Sequence, residues 1–64
     1  MRPYNRIEIG DVYKERFTKS LWLVMDKDDE DKMVQILLVA DKLPPNLNVP
    51  IWKSYRDKIF NVKV

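Results

Sequence analysis

The sequence predicts a mainly β fold, either a small antiparallel barrel or a strongly bent sheet of about five strands. Two apolar runs of strand length, residues 21–25 and 33–40, are rich in β-branched and aromatic side chains. Residues 26–32 join them and are polar enough to form only the exposed tip of a β-hairpin. The last segment, residues 59–64, alternates apolar and polar side chains as a half-buried strand does. Together, these three observations predict a mainly β fold.

The first predicted strand covers residues 7–17. Ile7 and Ile9 alternate with Glu8, as expected for a strand. Gly10 interrupts this alternation, and the apolar residues that follow are shifted in phase by one position. A lone glycine at a phase shift predicts a bulge or a sharp bend there.

The second and third predicted strands form the hairpin. The polar residues 18–20 turn the chain into strand two, which we expect over residues 21–27. Strand three is expected over residues 32–41. It must end before the proline pair at 44–45, because proline has no N–H to donate to a central sheet ladder.

Residues 49–58 are predicted to form one or two helical turns before the last strand. Apolar side chains recur there at spacings of one, three and four, with charged residues between them, and Pro50 suits a helix start. The apolar positions are Ile51, Trp52, Tyr55 and Ile59. A strand is the alternative for this segment, although neither of its faces would be cleanly apolar.

The predicted order is three strands, an irregular loop, a short helical turn and a final strand. This order resembles that of the SH3-like small barrels, in which a short helical turn precedes the last strand. The run Gly10-Asp11-Val12-Tyr13, followed by Trp22-Leu23-Val24, is similar to the opening of several such domains. The resemblance implies that the last strand closes onto the first. The alternative is an α+β fold, in which an antiparallel sheet carries one short C-terminal helix on one face.

The composition limits the classes of protein. Sixty-four residues make a single predicted domain, residues 1–64, that buries only about 60% of its unfolded surface. Without Cys or His, disulfides and thiolate or imidazole metal sites are excluded, so stability must come from apolar packing. The lack of Cys fits a reducing compartment, the N-terminal residues are not followed by an apolar signal-peptide core, and no apolar run approaches the length of a membrane span. We therefore expect a cytoplasmic protein with no membrane partner.

Catalysis and metal binding are not predicted. The usual proton shuttle, His, and the best nucleophile, Cys, are both missing. The acidic residues 26–31 resemble the start of an EF-hand calcium loop but lack its glycine and its final bidentate glutamate. We therefore expect no enzyme activity, no cofactor, no metal site and no small-molecule substrate. The hydroxyl residues are expected to be solvated turn residues: Thr18, Ser20 and Ser54.

The charge distribution is bipolar. Residues 26–31 carry a net charge of −4, which leaves +6 for the rest of a chain whose total is +2. Dense charge at the tip keeps an apolar hairpin from pairing with other chains. The same carboxylates also have the charge needed to engage a basic surface, as a phosphate backbone would.

The hairpin is apolar on both faces, and this predicts the mode of action. A small sheet hides one apolar row of each strand, and the remaining row forms an exposed apolar patch typical of an interface. We therefore expect a non-catalytic binding module, a regulator or inhibitor of the size found in phages and other mobile elements, that docks onto a protein or a second copy of itself. The predicted protein-binding residues are an apolar row and the acidic tip: Leu21, Leu23, Met25, Met33, Leu37, Asp28, Asp29, Glu30 and Asp31.

Nucleic-acid binding is the alternative function. Residues 52–58 interleave aromatic and basic side chains, as sequence-tolerant single-strand binders do. The competing interpretation places the two aromatic residues of this segment in the core, together with Phe17 and Trp22. The residues of the alternative site are Trp52, Lys53, Tyr55, Arg56 and Lys58.

Overall fold

The computed structural model describes residues 3–39 and 49–64. Within these ranges, four strands form one antiparallel sheet in the order β1-β2-β3-β4. The predicted mainly β class is confirmed, but the sheet has four strands rather than about five and is not closed. The strands are β1 (Val12–Lys14), β2 (Leu21–Asp28), β3 (Met33–Val39) and β4 (Ile51–Ser54).

In the described part of the chain, two short 3₁₀ turns accompany the sheet, one at Tyr4–Arg6 and one at Lys58–Asn61. The described residues contain no α-helix, so this part of the chain does not adopt the α+β alternative. No helix in the described ranges is both long and apolar enough to cross a lipid bilayer.

The predicted central hairpin is confirmed. Strands β2 and β3 pair antiparallel, with Leu23 opposite Leu37 and Leu21 opposite Val39. The register shifts between Val24 and Asp26, where β2 carries one extra residue. Such a bulge bends the strand and increases its twist. The predicted end of strand three, residues 40–41, lies outside the described residues, as does the proline loop that follows.

The first strand is much shorter than predicted. Gly10 has a φ of 97°, and the Asp11 N–H donates to the Glu8 carbonyl over 3.0 Å, so residues 8–11 form a tight turn. The bend predicted at Gly10 is therefore confirmed, but the strand predicted over residues 7–17 is reduced to β1. Alternation alone did not reveal that turns on both sides remove the flanking residues from the sheet.

The helical prediction for residues 49–58 is wrong at its centre. Residues 51–54 form β4, with Trp52 opposite Gln35 and Ile51 opposite Ile36. The edge of β3 offers main-chain partners to four residues, whereas a helix of one or two turns is marginal by itself. Tertiary pairing therefore overrides the helical spacing of the apolar residues, and the strand alternative is the correct one.

The final segment is only partly extended. Residues 58–61 form the second 3₁₀ turn, where an Asp57 carboxylate oxygen accepts from the Ile59 N–H over 3.0 Å. The predicted strand over residues 59–64 is therefore wrong in its first half. Residues 62–64 do run beside β1: Lys63 forms an antiparallel bridge with Tyr13, and two further main-chain hydrogen bonds flank it.

The core lies on one face of the sheet, between the strands and the two 3₁₀ turns. The rings of Tyr13 and Phe60 meet edge to face, with centroids 5.3 Å apart. Trp22 is half-buried and packs against this core, whereas Phe17 is 93% exposed, so its assignment to the core is wrong. The buried residues are Ile7, Tyr13, Val24, Val34, Ile36, Ile59 and Phe60.

The Asp11 carboxylate ties the ends of the fold together. It accepts from the Glu8 N–H over 3.0 Å and from the Tyr13 hydroxyl over 3.3 Å, and it pairs with Lys63 Nζ over 3.2 Å. Burial by itself raises the pKa of this carboxyl. The hydrogen bonds and the lysine charge outweigh burial and lower the pKa below its ordinary value. The carboxylate is thus charged in the fold and links the first turn to the C-terminal segment.

Replacing Gly10 with alanine tests the backbone conformation of the first turn. An added Cβ would meet no atom within 4 Å, so the positive φ alone sets the cost. We expect Gly10→Ala to lower the free energy of unfolding by about 1–2 kcal/mol, as measured by urea denaturation. Gly10→Asn, which tolerates positive φ better, should lose less. Equal stability of all three proteins would contradict this description of the turn.

Candidate functional site

The face of the sheet opposite the core is apolar across the strands. Residues directly opposite one another in an antiparallel sheet place their side chains on the same face. Val12 lies opposite Leu23, and Leu23 lies opposite Leu37, so three apolar side chains cross three strands in one row. The next row is formed by Lys14, Leu21 and Val39. We call this surface the outer face.

Strand β4 extends the outer face at one side. Trp52 lies opposite Gln35, which alternation places on the same face as Leu37 and Met33. On the far side, residues 62–64 continue the surface beyond β1, because Lys14 N–H donates to the Val62 carbonyl over 2.9 Å. The apolar side chains of the outer face are Val12, Leu21, Leu23, Met25, Met33, Leu37, Val39, Trp52, Val62 and Val64.

The outer face is incompletely covered. Met25, Val39 and Trp52 are 40%, 44% and 45% exposed, and the leucines of this face are half-buried. On the core face of the same hairpin, by contrast, Val24 and Ile36 are 1% and 0% exposed. The described chain therefore buries the centre of one side of the hairpin and leaves large apolar side chains in contact with solvent on the other.

The acidic tip borders one end of the outer face. Asp28 lies opposite Met33 in the hairpin register, and the turn that follows occupies residues 29–32. The Asp28 carboxylate accepts from the Glu30 N–H over 3.0 Å. At the other end of the face, the exposed Lys14 stands beside Leu21. The outer face is therefore flanked by negative charge at the tip and by positive charge at its base.

Tyr4 anchors the acidic tip to the body of the fold. Its hydroxyl donates to an Asp29 carboxylate oxygen over 2.5 Å, and its ring packs edge to face on Tyr55 at 5.9 Å. The ammonium groups of Lys27 and Lys32 lie 4.2 and 4.8 Å from the ring centroid. Partial burial of the phenol, then the hydrogen bond and the charge of Asp29, raise the pKa of Tyr4 to about 12.

The structure brings the predicted protein-binding residues together. The apolar members Leu21, Leu23, Met33 and Leu37 share the outer face through the register of the hairpin, and Met25 lies at the bulge beside them. Asp28 stands at the border of that face. Asp29, Glu30 and Asp31 follow in the exposed turn.

The residues of the alternative nucleic-acid site are separated. Trp52 lies on the outer face, whereas Lys53 lies opposite the buried Val34 and so points to the other side of the sheet. Tyr55 packs against Tyr4 and the core, and Arg56 lies over the Tyr55 ring at 5.4 Å with its Nε donating to the phenol oxygen. Lys58 begins the second 3₁₀ turn. The aromatic and basic groups therefore do not form one continuous strip.

Sequence reasoning missed part of the outer face. Trp52 belongs to it because residues 51–54 form a strand, and the alternation of this segment was the signal that could have revealed it. Val62 and Val64 join it because the C-terminal segment runs beside β1. Neither contribution could be assigned before the pairing of these segments was known.

No protein family, no curated protein and no solved structure matches this chain.

Removing the Tyr4 hydroxyl tests the anchoring of the acidic tip. The pKa of Tyr4 is raised from 10.0 to about 12, so the stability it provides is complete below pH 10 and is lost as the pH rises toward 12. In Tyr4→Phe no phenol can ionise at position 4. We therefore expect the free energy of unfolding, measured by urea denaturation at several pH values, to fall less between pH 10 and pH 12 than in the unsubstituted protein. In Asp29→Asn, Tyr4 should form phenolate at lower pH than in the unsubstituted protein, as seen by near-ultraviolet absorbance. An unchanged phenolate titration in Asp29→Asn would contradict the anchor.

Proposed function

We propose that this chain is a non-catalytic binding module that docks onto a partner protein through the outer face and thereby acts as a regulator or inhibitor. The observation that carries this proposal is the unequal covering of the hairpin. On the core face of the hairpin Val24, Val34 and Ile36 are at most 1% exposed, whereas Met25, Val39 and Trp52 on the outer face remain 40–45% exposed. Contiguous exposed apolar surface of this kind is typical of interaction sites.

The residue types of the outer face suit an interface. Tryptophan and methionine are enriched at the centres of protein interfaces, and tryptophan is among the residues whose loss costs the most affinity. Trp52 and Met25 are both exposed here, and the half-buried Leu23 and Leu37 form a neighbouring row of the same face. Docking would remove this apolar surface from water, which is the main driving force for association.

In the proposed docking, the acidic tip sets the orientation of the partner on the outer face. Asp28, Asp29, Glu30 and Asp31 lie at one end of the outer face, and Lys14 lies at the other. Complementary charge speeds association and fixes orientation more than it increases affinity. The partner we propose therefore presents an apolar centre with a basic patch at one edge.

We further propose that the fold is an incomplete SH3-like barrel. The second 3₁₀ turn precedes residues 62–64, and these pair with β1 through the Tyr13–Lys63 bridge. This order of a short helical turn and a closing segment is the one that the sequence resemblance implies. It supports a small recognition scaffold rather than an active-site scaffold.

Lysine substitutions on the outer face test the proposal. Leu23→Lys and Leu37→Lys place a charge at the centre of the face, and Val39→Lys does so at a more exposed position where the fold bears little cost. We expect each to weaken partner capture by tenfold or more, on the order of the loss at an interface centre. Pull-down from the native cell with quantitative mass spectrometry measures this, and sedimentation reveals whether the partner is a second copy.

The matched control is Phe17→Lys, which replaces an apolar residue that is 93% exposed and belongs to the loop between β1 and β2 rather than to a strand of the outer face. Circular dichroism and urea denaturation confirm that every variant is folded. The proposal requires a partner that is retained by Phe17→Lys and lost by the three outer-face variants. Capture that is equal for all variants, or a monomer that captures nothing, would show that the outer face is not a docking site.

A further inference from the structure

A groove lies on the core side of the sheet, opposite the outer face. It is bounded by β4, the loop joining β1 to β2, and the second 3₁₀ turn. Its volume is about 470 Å³. Its apolar lining comes from Trp22, Ile36, Ile51 and Ile59, with the exposed Phe17 at its edge. The outer face contributes none of these side chains, so the groove is a second surface, independent of the proposed docking face.

The two carboxylates that line the groove are already engaged within the chain. Glu15 accepts from the Phe17 N–H over 2.9 Å, from the Thr18 N–H over 2.7 Å and from the Thr18 hydroxyl over 2.6 Å. These hydrogen bonds lower the pKa of Glu15 to about 2. Asp57 accepts from the Ile59 N–H at the start of the 3₁₀ turn. Both acids therefore hold the walls of the groove in place.

The three cations that line the groove are not neutralised by those acids. Arg16, Lys53 and Lys58 belong to the lining, and the one ion pair among the described residues joins Lys63 to Asp11 elsewhere. The groove therefore combines an apolar floor with three cations and two carboxylates that are hydrogen-bonded within the chain, a net charge of +1. A ligand that matches it carries a large apolar group beside one or more anionic groups.

Strand β4 adds a main-chain site next to the groove. It is at the edge of the sheet, and among the described residues it pairs only with β3. The Tyr55 N–H donates across to the Lys32 carbonyl, so alternation turns the main-chain groups of Lys53 toward β3 and those of Trp52 away from it. The Ser54 carbonyl is already used by the Asp57 N–H. The main-chain edge that no described residue pairs is therefore centred on Trp52.

We propose that the groove and the β4 edge together bind an acidic peptide segment in extended conformation. The peptide adds as a strand beside β4, exchanging main-chain hydrogen bonds with Trp52. Ile51 and Lys53 of β4 point into the groove, so every second side chain of the added strand also points into it. A large apolar side chain of the peptide then packs on the floor of the groove. Carboxylates on either side of it pair with Arg16, Lys53 and Lys58.

A peptide fits these observations better than a single-stranded nucleic acid does. Bases need aromatic faces on which to stack, but three of the four floor residues named above are isoleucines and the fourth, Trp22, is packed against the core. Of the aromatic rings in the lining, this leaves Phe17, at the edge of the groove, as the fully exposed one. A nucleic acid also has no main chain that could pair with a strand edge. Attraction to the three cations is the one feature that both ligands would share.

The test uses a defined probe, the hexapeptide Glu-Asp-Ile-Phe-Asp-Glu with blocked ends, and its uncharged counterpart with amides in place of the carboxylates. Trp52→Phe removes the tryptophan on the outer face and leaves Trp22 as the fluorescence reporter of the groove. We expect the acidic peptide to shift Trp22 emission saturably and with decreasing affinity as salt is raised, and the amide peptide to bind about tenfold more weakly. In the unsubstituted chain, the Trp52 amide should become protected from hydrogen exchange on binding.

Matched charge removals locate the site. The double variant Lys53→Gln and Lys58→Gln should bind the acidic peptide about tenfold more weakly, since each exposed ion pair contributes a few-fold in affinity. Lys14→Gln, which removes one charge from the outer face, should stay within about twofold of the unsubstituted protein. Leu37→Lys should leave peptide binding unchanged, which separates this site from the proposed docking face.

Several outcomes would overturn the proposal. These are no binding of the acidic peptide at low salt, equal binding of the amide peptide, and unchanged affinity in the double lysine variant. Binding without protection of the Trp52 amide would overturn the added strand. Tighter binding of an oligothymidylate than of the acidic peptide, lost in the double lysine variant, would identify the groove as a nucleic-acid site instead.

Discussion

The packing of the C-terminal 3₁₀ turn onto the sheet is the interaction on which the rest of the structure depends. Phe60 meets Tyr13 edge to face and is completely buried, and Ile59 beside it closes the same face. The Asp11 carboxylate joins this turn's segment to β1 through Lys63. A chain of this length has few residues with which to cover a sheet. Once both short turns lie on the core face, the described residues leave the outer face partly exposed.

The two proposed surfaces exist because the chain has few residues with which to cover its sheet, and they differ in chemistry. The outer face is broad and mainly apolar, with Asp26 and Gln35 in the row of Trp52 and further charge at its borders, and it suits a folded partner. The groove is narrow and apolar, its three cations form no ion pair with any described residue, and it lies beside the edge of β4 that no described strand pairs, which suits an extended peptide. Strand β4 contributes to both, because Trp52 faces one side of the sheet and Lys53 the other. A module with two such surfaces could hold two partners at once.

Local polar contacts hold the edges of these surfaces in shape. Glu15 organises the loop beside the groove with three hydrogen bonds, and Tyr4 holds the acidic tip through Asp29. Asp57 begins the final 3₁₀ turn by the same kind of contact. A small core leaves loops poorly supported, and these carboxylates replace packing with hydrogen bonds. Some acidic residues of this chain therefore stabilise loops and turns through hydrogen bonds, whereas others are solvated at the tip.

The sequence alone determined the mainly β class, the central hairpin, the bend at Gly10 and the apolar row of β2 and β3. These features depend on side-chain alternation and on a glycine with positive φ, which are local properties. Only the tertiary structure decided that residues 51–54 form a strand, that Phe17 lies in solvent and that Ile59 and Phe60 are both buried in a 3₁₀ turn. Each of these features depends on whether a strand edge or a part of the core elsewhere in the chain is left for the segment to cover. Periodicity within one segment does not contain that information, because it records which faces of an element are apolar and not which neighbour will cover them.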